Sequence, residues 1–265
     1  MALPFDHIAS TYDSVLSRSA IGQLQRKQVW RYLQKITPQL SGLEILELNC
    51  GTGEDAMLFS EKGFNIVATD VSEEMLKVTI QKANQFSMQS KVSSLYLELD
   101  SFDETVFDKK FDLIFANFGG LNCINPESLQ MLLRKIPSIL SPGGRFIGLV
   151  MPKFCLWETA CLLMKFRLKK AFRRLTNKEV FRSFEGTHIK MWHYNPSQVR
   201  KWAGEKFRKV ATIPIGFALP PAHFEKRFIN RKRLLLRLNA IGKRTENISF
   251  LSGMADYFLI DLELK

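Results

Sequence analysis

One stretch constrains this chain more than any other: Glu44-Ile45-Leu46-Glu47-Leu48-Asn49-Cys50-Gly51-Thr52-Gly53-Glu54-Asp55. Its apolar run suits a buried parallel strand, its glycines mark a turn, and a helix-prone segment follows. That order sets a helix N-terminus and a closely approachable backbone beside the carboxyl end of a strand. Nucleotides bind at such places in open α/β sheets.

A strand–helix alternation continues from the turn. Strands are expected over residues 43–48, 65–69, 92–99, 111–116 and 145–150, with helices over 54–62, 73–86 and 126–140. Gly63 stops the first of these helices, Ser72 caps the second and Pro126 opens the third. Glu47, Asp70, Asp100 and Asn117 fall at or near the carboxyl ends of successive strands, which share one rim in a doubly wound sheet. Ahead of the sheet, Phe5, Ile8, Ala9 and Tyr12 recur at helical spacing, and a second helix is expected over 19–36, stopped by Thr37-Pro38. This pair reads either as packing on a sheet edge or as a lid, since Asp6, His7, Tyr12 and Asp13 set polar groups among the apolar ones.

The composition changes after Met151-Pro152. Residues 1–150 hold 14 Lys+Arg against 17 Asp+Glu, a net −3, whereas residues 151–265 hold 24 against 9, a net +15. A long amphipathic helix is expected over 154–175. Trp157, Cys161, Met164, Leu168, Phe172 and Leu175 form one stripe of it, and Lys165, Arg167, Lys169, Lys170, Arg173 and Arg174 crowd the remainder. A strand-like run over 187–194 carries His188 and His193. A short helix capped by Asn195-Pro196, a strand over 207–215, a basic helix over 224–241 and a strand over 256–262 follow. The four cysteines, Cys50, Cys123, Cys155 and Cys161, form no CxxC pair, and no His cluster lies at metal-ligand spacing. They read as reduced thiols of a cytoplasmic protein, and no metal is expected. The N-terminal residues lack the pattern of a signal peptide, and the apolar stretch 154–164, interrupted by Glu158, is too short to span a bilayer.

Gly51-Thr52-Gly53-Glu54-Asp55-Ala56 matches G-x-G-x-x-A, with Asp70 placed as a ribose-binding acid; alone, that pattern fits a dinucleotide. The wider context favours another ligand, and the Tyr-x-x-x-Lys pair of a dehydrogenase is missing. Glu47-Leu48-Asn49-Cys50-Gly51-Thr52-Gly53 resembles motif I of class I S-adenosylmethionine-dependent methyltransferases, acid-x-Gly-x-Gly-x-Gly, with Asn49 in place of the first glycine. Asparagine tolerates unusual backbone angles better than most residues. Phe5-Asp6-His7-Ile8-Ala9-Ser10-Thr11-Tyr12-Asp13 is similar to the N-terminal segment of the ubiquinone/menaquinone and malonyl-carrier methyltransferase groups. Ala68-Thr69-Asp70-Val71-Ser72-Glu73-Glu74-Met75-Leu76 resembles their motif II, and Leu99-Asp100-Ser101-Phe102 motif III. Phe111-Asp112-Leu113-Ile114-Phe115-Ala116-Asn117-Phe118 resembles motif IV, and Leu140-Ser141-Pro142-Gly143-Gly144 the turn after it. These ordered matches cover most of residues 5–150.

The resemblance implies an α/β fold: a Rossmann-like, doubly wound, mostly parallel seven-stranded sheet with an N-terminal helical cap and inserted basic helices covering the substrate side. The expected division is a cap over 1–40, a cofactor-binding core over 41–152, a substrate-cover insertion over 153–190, and the rest of the sheet over 191–265 with a helical insertion near 218–250. The implied cofactor is S-adenosyl-L-methionine, with S-adenosyl-L-homocysteine as product. Glu47 would offset the cationic methionyl end, Asn49, Gly51 and Gly53 would let the backbone approach, and Asp70 would accept from the ribose diol. Val71 and Met75 would flank the adenine, Asp100 and Ser101 would meet its amine edge, and Asn117 would lie by the methionyl part.

Methyl transfer from a sulfonium is an in-line displacement that needs alignment and exclusion of water, with a base only for some acceptors. His188 and His193, nearest the expected mouth, and Tyr12 are the catalytic candidates; His7, His223 and Glu158 are weaker ones. Asn117-Phe118-Gly119-Gly120 lacks the paired prolines of enzymes that methylate DNA bases or protein glutamine. The acceptor is therefore expected to be a hydrophobic small molecule, lipid-like or polyketide, methylated at oxygen or carbon. An RNA methyltransferase and a non-catalytic module keeping the cofactor fold are the alternatives. The basic half reads as a solvated face, as a surface for an anionic membrane on which a cytoplasmic protein would sit peripherally, or as a dock for an acidic carrier protein, with nucleic acid last.

Overall fold

The apolar runs and capped helices of the first half assemble as the alternation dictates. The computed structural model describes residues 5–14, 18–37, 42–184, 186–228 and 230–265. In chain order it contains α1 (Ala20–Ile36), β1 (Glu44–Leu48), α2 (Glu54–Glu61), β2 (Asn65–Asp70), α3 (Glu73–Gln85) and β3 (Val92–Tyr96). Then come β4 (Phe111–Ala116), α4 (Pro126–Lys135), β5 (Leu140–Val150), α5 (Leu156–Leu163), α6 (Leu168–Ala171), β6 (Val180–Phe184) and β7 (Thr187–Met191). The chain continues with α7 (Pro196–Ala203), β8 (Phe207–Ile215), α8 (Lys232–Thr245) and β9 (Tyr257–Leu264). Seven strands form one sheet in the order β3-β2-β1-β4-β5-β9-β8, and β6 and β7 form a separate hairpin. The first five strands are parallel to one another, and β9 runs antiparallel to β5 and β8.

Both faces of this sheet are buried, as expected for near-continuous apolar strands. Leu46, Leu48, Ile114, Phe146 and Phe258 pack on one face against Leu129 and Leu132 of α4 and Val199 of α7. Ile45, Phe115, Ile147 and Leu259 pack on the other, against Val29 and Leu33 of α1 and Phe59 of α2. Each such side chain contributes roughly 1.5–3 kcal/mol on leaving water. Side-chain caps fix where the helices begin. Ser19 Oγ accepts from Gly22 N at 3.0 Å, Ser72 Oγ from Met75 N at 3.2 Å, and Asn125 Oδ1 from Ser128 N at 2.9 Å. Register then sets the rim: Leu48 pairs with Thr69 and Ala116, which brings Asn49, Asp70 and Asn117 together, and Val150 pairs with Phe258, which sets Met151 beside Tyr257.

The second half departs from the sequence-based expectation. The single helix expected over 154–175 is two short ones, α5 and α6, separated by a turn where Phe166 adopts φ 55°. The reason is a buried carboxylate. Glu158 accepts from Arg173 Nε at 2.8 Å and Arg174 Nε at 2.9 Å, and Thr159 Oγ1 donates to the Ala171 carbonyl at 3.2 Å. A straight helix would carry Arg173 roughly 22 Å from Glu158. Two cations expected on a solvated stripe are thus paired inward. Of the run expected over 187–194, residues 187–191 form β7 and pair with β6, an unforeseen strand, in a separate hairpin. The basic helix begins at Lys232, after a 3-10 turn over Ala222–Arg227. Residues 5–11 hold only a 3-10 turn, Asp6–Ile8, where helical spacing had implied a helix. The strand expected over 92–99 stops at Tyr96. Pro38 and the outer ends of the cap expected over 1–40 lie outside the described residues.

Gly53 holds the glycine turn to α3. Its φ is +73°, and a Cβ there would stand 2.6 Å from Thr79 Cγ2. Gly53→Ala is expected to destabilise the protein by about 2–4 kcal/mol, from the left-handed conformation and the overpacking together; urea unfolding measures it.

Candidate functional site

The carboxyl ends of β1, β2, β4 and β5, together with the start of β9, border a cavity of about 460 Å³. Glu47, Asn49 and Gly51 reach it from β1 and its turn, Asp70 and Val71 from β2, Met75 from α3, Asn117 from β4, and Tyr12 from the N-terminal segment. Three of the expected cofactor-binding residues do not line it. Gly53 faces Thr79. Asp100 and Ser101 are exposed on a 3-10 turn, with Asp100 Oδ1 accepting from Asn125 Nδ2 at 3.2 Å.

Buried charge gives one end of the cavity its character. Asp55 accepts from Trp30 Nε1 and Asn117 Nδ2, each at 2.7 Å, and pairs with Arg26, whose guanidinium lies 4.7 Å from the centre of the Phe118 ring. Asp70 accepts from Gly51 N and Ser72 N, both at 2.9 Å. Two acceptors there have no hydrogen-bond partner: Glu47 Oε2 and Asn49 Oδ1. Burial, followed by the nearby Asp55 charge, pushes the Glu47 carboxyl well above its ordinary value. Burial likewise raises Asp70, with the Ser72, Gly51 and Val71 amides opposing the rise. Asn49 has φ 52°, the left-handed conformation that the irregular position in the turn requires.

Residues 5–14 close over the turn. Thr52 Oγ1 donates to Asp13 Oδ1 at 2.5 Å, Ser72 Oγ donates to Asp6 Oδ1 at 2.7 Å, and Lys82 bridges Asp13 and Glu54. Phe5 packs edge-on against Tyr12 with ring centres 6.2 Å apart. Burial pushes the Tyr12 phenol up, so it keeps its proton and serves as a donor and a wall.

The opposite end is roofed by the β6–β7 hairpin and the turn over Ala222–Arg227, through Arg182, Ile189, Met191 and His223. Alternation along β7 decides which of its residues face inward: Ile189 and Met191 are buried, whereas His188 is exposed and outside the lining. His193 is buried but also outside the lining, and burial, reinforced by Arg174 and Arg182, pushes it down to about 3. His7 is not among the lining residues either. Glu158 is held below the ordinary carboxylate range by Arg174, Arg182 and Arg173, against the opposing effect of burial. Sequence reading passed over Arg26, Met151, Arg182 and Tyr257. A signal for the first was present. Gln25, Arg26 and Gln28 interrupt the core-facing side of α1, and the two glutamines reach Asp256 at 3.1 Å and the Gly216 amide at 2.9 Å.

Residues 45–144 match the family model described as a methyltransferase domain. Those residues are a class I, S-adenosylmethionine-dependent methyltransferase domain. The chain is 30% identical over 145 residues to a demethylmenaquinone methyltransferase of Clavibacter sepedonicus, covering 54% of each chain. It is 29% identical over 144 residues to a malonyl-[acyl-carrier protein] O-methyltransferase of Pectobacterium atrosepticum, covering 54% of this chain and 50% of that one. The chain thus spans about half the length of the curated relatives it matches. The fold as a whole is similar to the CcbJ methyltransferase of Streptomyces caelestis, with a TM-score of 0.65 at 14% identity over 99% of this chain and 98% of that one.

The methyltransferase domain tests the fit of its cofactor through the two unpartnered oxygens. Glu47 Oε2 and Asn49 Oδ1 are buried acceptors without donors, and the methionyl ammonium of S-adenosylmethionine is a cationic donor. A carboxyl raised by burial keeps its proton in the folded chain after the unfolded chain has released it, so it lowers stability as pH rises through the ordinary carboxylate value. Glu47→Gln is therefore expected to stabilise the ligand-free methyltransferase domain above that value and to leave it unchanged below, as read by thermal unfolding across pH. The same variant should bind S-adenosylhomocysteine about tenfold more weakly or worse.

Proposed function

We propose that this protein transfers a methyl group from S-adenosylmethionine to oxygen or carbon of a hydrophobic small molecule. The observation that carries this reading is the pair of buried acceptors without donors, Glu47 Oε2 and Asn49 Oδ1, on two residues that line the chamber. S-adenosylmethionine supplies, when bound, a methyl group already activated on a sulfonium. Glu47 and Asn49 accept from its ammonium, Asp70 accepts from its ribose hydroxyls, and Val71 and Met75 flank the base. Tyr12 and Phe5 cover the turn and exclude water. No histidine of the described residues lines the chamber except His223, which favours catalysis by alignment over a dedicated base.

A chamber of about 460 Å³ falls in the range of small-molecule sites, which supports a small acceptor in preference to RNA. The name of one relative, a demethylmenaquinone methyltransferase, supports an acceptor with a long apolar part. Delivery from a membrane surface fits the turn between α5 and α6, where Met164 is 73% and Phe166 92% exposed among Lys165, Arg167, Lys169 and Lys170. Basic residues flanking exposed apolar ones suit an anionic interface. Among the described residues, no helix is long and apolar enough to cross a membrane.

Calorimetric titration with S-adenosylhomocysteine should show binding to the wild type and roughly tenfold or greater loss in Asp70→Ala. No binding to the wild type, or Asp70→Ala behaving as wild type, rejects the reading. Mixed phosphatidylglycerol/phosphatidylcholine vesicles should retain the wild type in flotation, and Phe166→Ser should weaken retention about tenfold. Equal retention of the two proteins rejects the membrane surface.

A further inference from the structure

The roof of the cavity carries a cation whose charge is not fully matched. Arg182 Nη2 donates to His223 Nδ1 at 3.0 Å, and Arg182 Nη1 lies 3.5 Å from Met151 Sδ at the end of β5. Its nearest carboxylate, Glu158, is 3.9 Å away and already accepts from both Arg173 and Arg174. Asp256 accepts from Arg174 Nη2 and from Gln25 Nε2. The cluster thus sets Arg173, Arg174 and Arg182 against two carboxylates. The other carboxylate of the roof, Glu225, also lines the cavity and is engaged by the first amides of α1, accepting from Ala20 N at 2.9 Å and Ile21 N at 3.0 Å.

The histidines do not alter that balance. An arginine has no lone pair to offer, so His223 must present the lone pair of Nδ1 to Arg182 and hold its own proton on Nε2. Desolvation at the mouth and the Arg182 charge push His223 below its ordinary value, and His193 behind it is pushed down as well. The neutral His223 is a donor at Nε2, not a base. The acidic end of the cavity, with Glu47, Asp55 and Asp70 against Arg26, suits the cationic part of the cofactor. The roof brings a guanidinium to the lining in Arg182, whose nearest carboxylate is shared with two other arginines.

We propose that Arg182, supported by His223, is a subsite for an anionic oxygen of the acceptor molecule, a carboxylate or an ionised enol or phenol, whose apolar body lies along Ile189, Met191 and Phe118. This rests on the methyltransferase reading and narrows its substrate to an apolar anion. Charge-assisted hydrogen bonds of this kind are about twice as strong as neutral ones, and the guanidinium fork favours paired oxygens.

The test uses calorimetry on the full chain preloaded with S-adenosylhomocysteine, with decanoate and 1-decanol as matched probes. Decanoate should bind at least about tenfold more tightly than decanol. Arg182→Gln should abolish the preference, Arg182→Lys should retain part of it, and both variants should hold S-adenosylhomocysteine as the wild type does. Equal affinity for the two probes, no decanoate binding to the preloaded wild type, or a preference surviving in Arg182→Gln overturns the subsite. Failure of S-adenosylhomocysteine to bind the wild type overturns the methyltransferase reading instead, so the two failures are distinguishable.

Discussion

The Asp55 carboxylate is the junction on which the site depends. It takes hydrogen bonds from Trp30 and Asn117 and the charge of Arg26, so one side chain at the start of α2 fastens α1 and the end of β4 to the glycine turn. A buried carboxylate is costly unless its oxygens are all engaged. With three donors converging, Asp55 is satisfied, and that satisfaction fixes Asn117 at the rim and swings Arg26 over Phe118. The remaining acids of the rim, Glu47 and Asp70, then face the cavity with burial raising both. The junction therefore places a paired carboxylate behind the rim and leaves in front two carboxyls that have no cationic partner among the described residues.

A second buried carboxylate organises the other half by the same physics with the opposite result. Glu158 gathers Arg173 and Arg174, folds what would be one helix into α5 and α6, and leaves the third cation, Arg182, short of a full partner. Asn122 couples this half to the rim: its side chain accepts from Met151 N at 2.8 Å and donates to the Trp192 carbonyl at 2.6 Å. The hairpin is thus held at a set height over the strand ends, with Arg182 and His223 lining the cavity from above.

How much of this the sequence made legible divides along the same line. Residues 44–150 carry their own local instructions: two-faced apolar strands, Ser72 and Asn125 caps, and a glycine turn whose φ values only a few residues accept. Local and tertiary preferences agree there, and the sheet read from the chain is the sheet that forms. Over 153–190 they conflict. The stripe through Trp157, Met164 and Leu175 is a sound helical pattern, but Glu158 finds its partners through a fold-back that no periodicity records. A local pairing hid the role of β6 in another way, since its residues make a strand only because β7 returns beside them two residues later. At the site, Glu47, Asp70 and Asn117 follow from strand ends, whereas Asp100 lies four residues beyond Tyr96, the β3 residue level with Asp70, on an exposed 3-10 turn outside the cavity lining. His188 and His193 were placed near the mouth by position alone; pleating turns one outward, and neither lines the cavity.

The irregular Asn49 shows how such a turn can change a residue without losing its shape. The pattern has glycine at this position, and asparagine needs both a left-handed backbone and room for a side chain. The first is met by its φ of 52°. The second is met across the rim, where Gly120 follows Gly119 after β4: a Cβ on Gly120 would stand 2.5 Å from the Asn49 Cβ. The close approach that a glycine in the turn would have allowed is supplied instead by a glycine in the facing loop. The exchange is not neutral, because the asparagine brings Oδ1 into the cavity as a buried acceptor without a partner. Such an atom costs about 1–3 kcal/mol while it waits for a donor, and a ligand that donates to it recovers that cost as affinity. A residue that looks like a defect in the glycine pattern is therefore, in the folded chain, a second buried acceptor without a donor, beside Glu47.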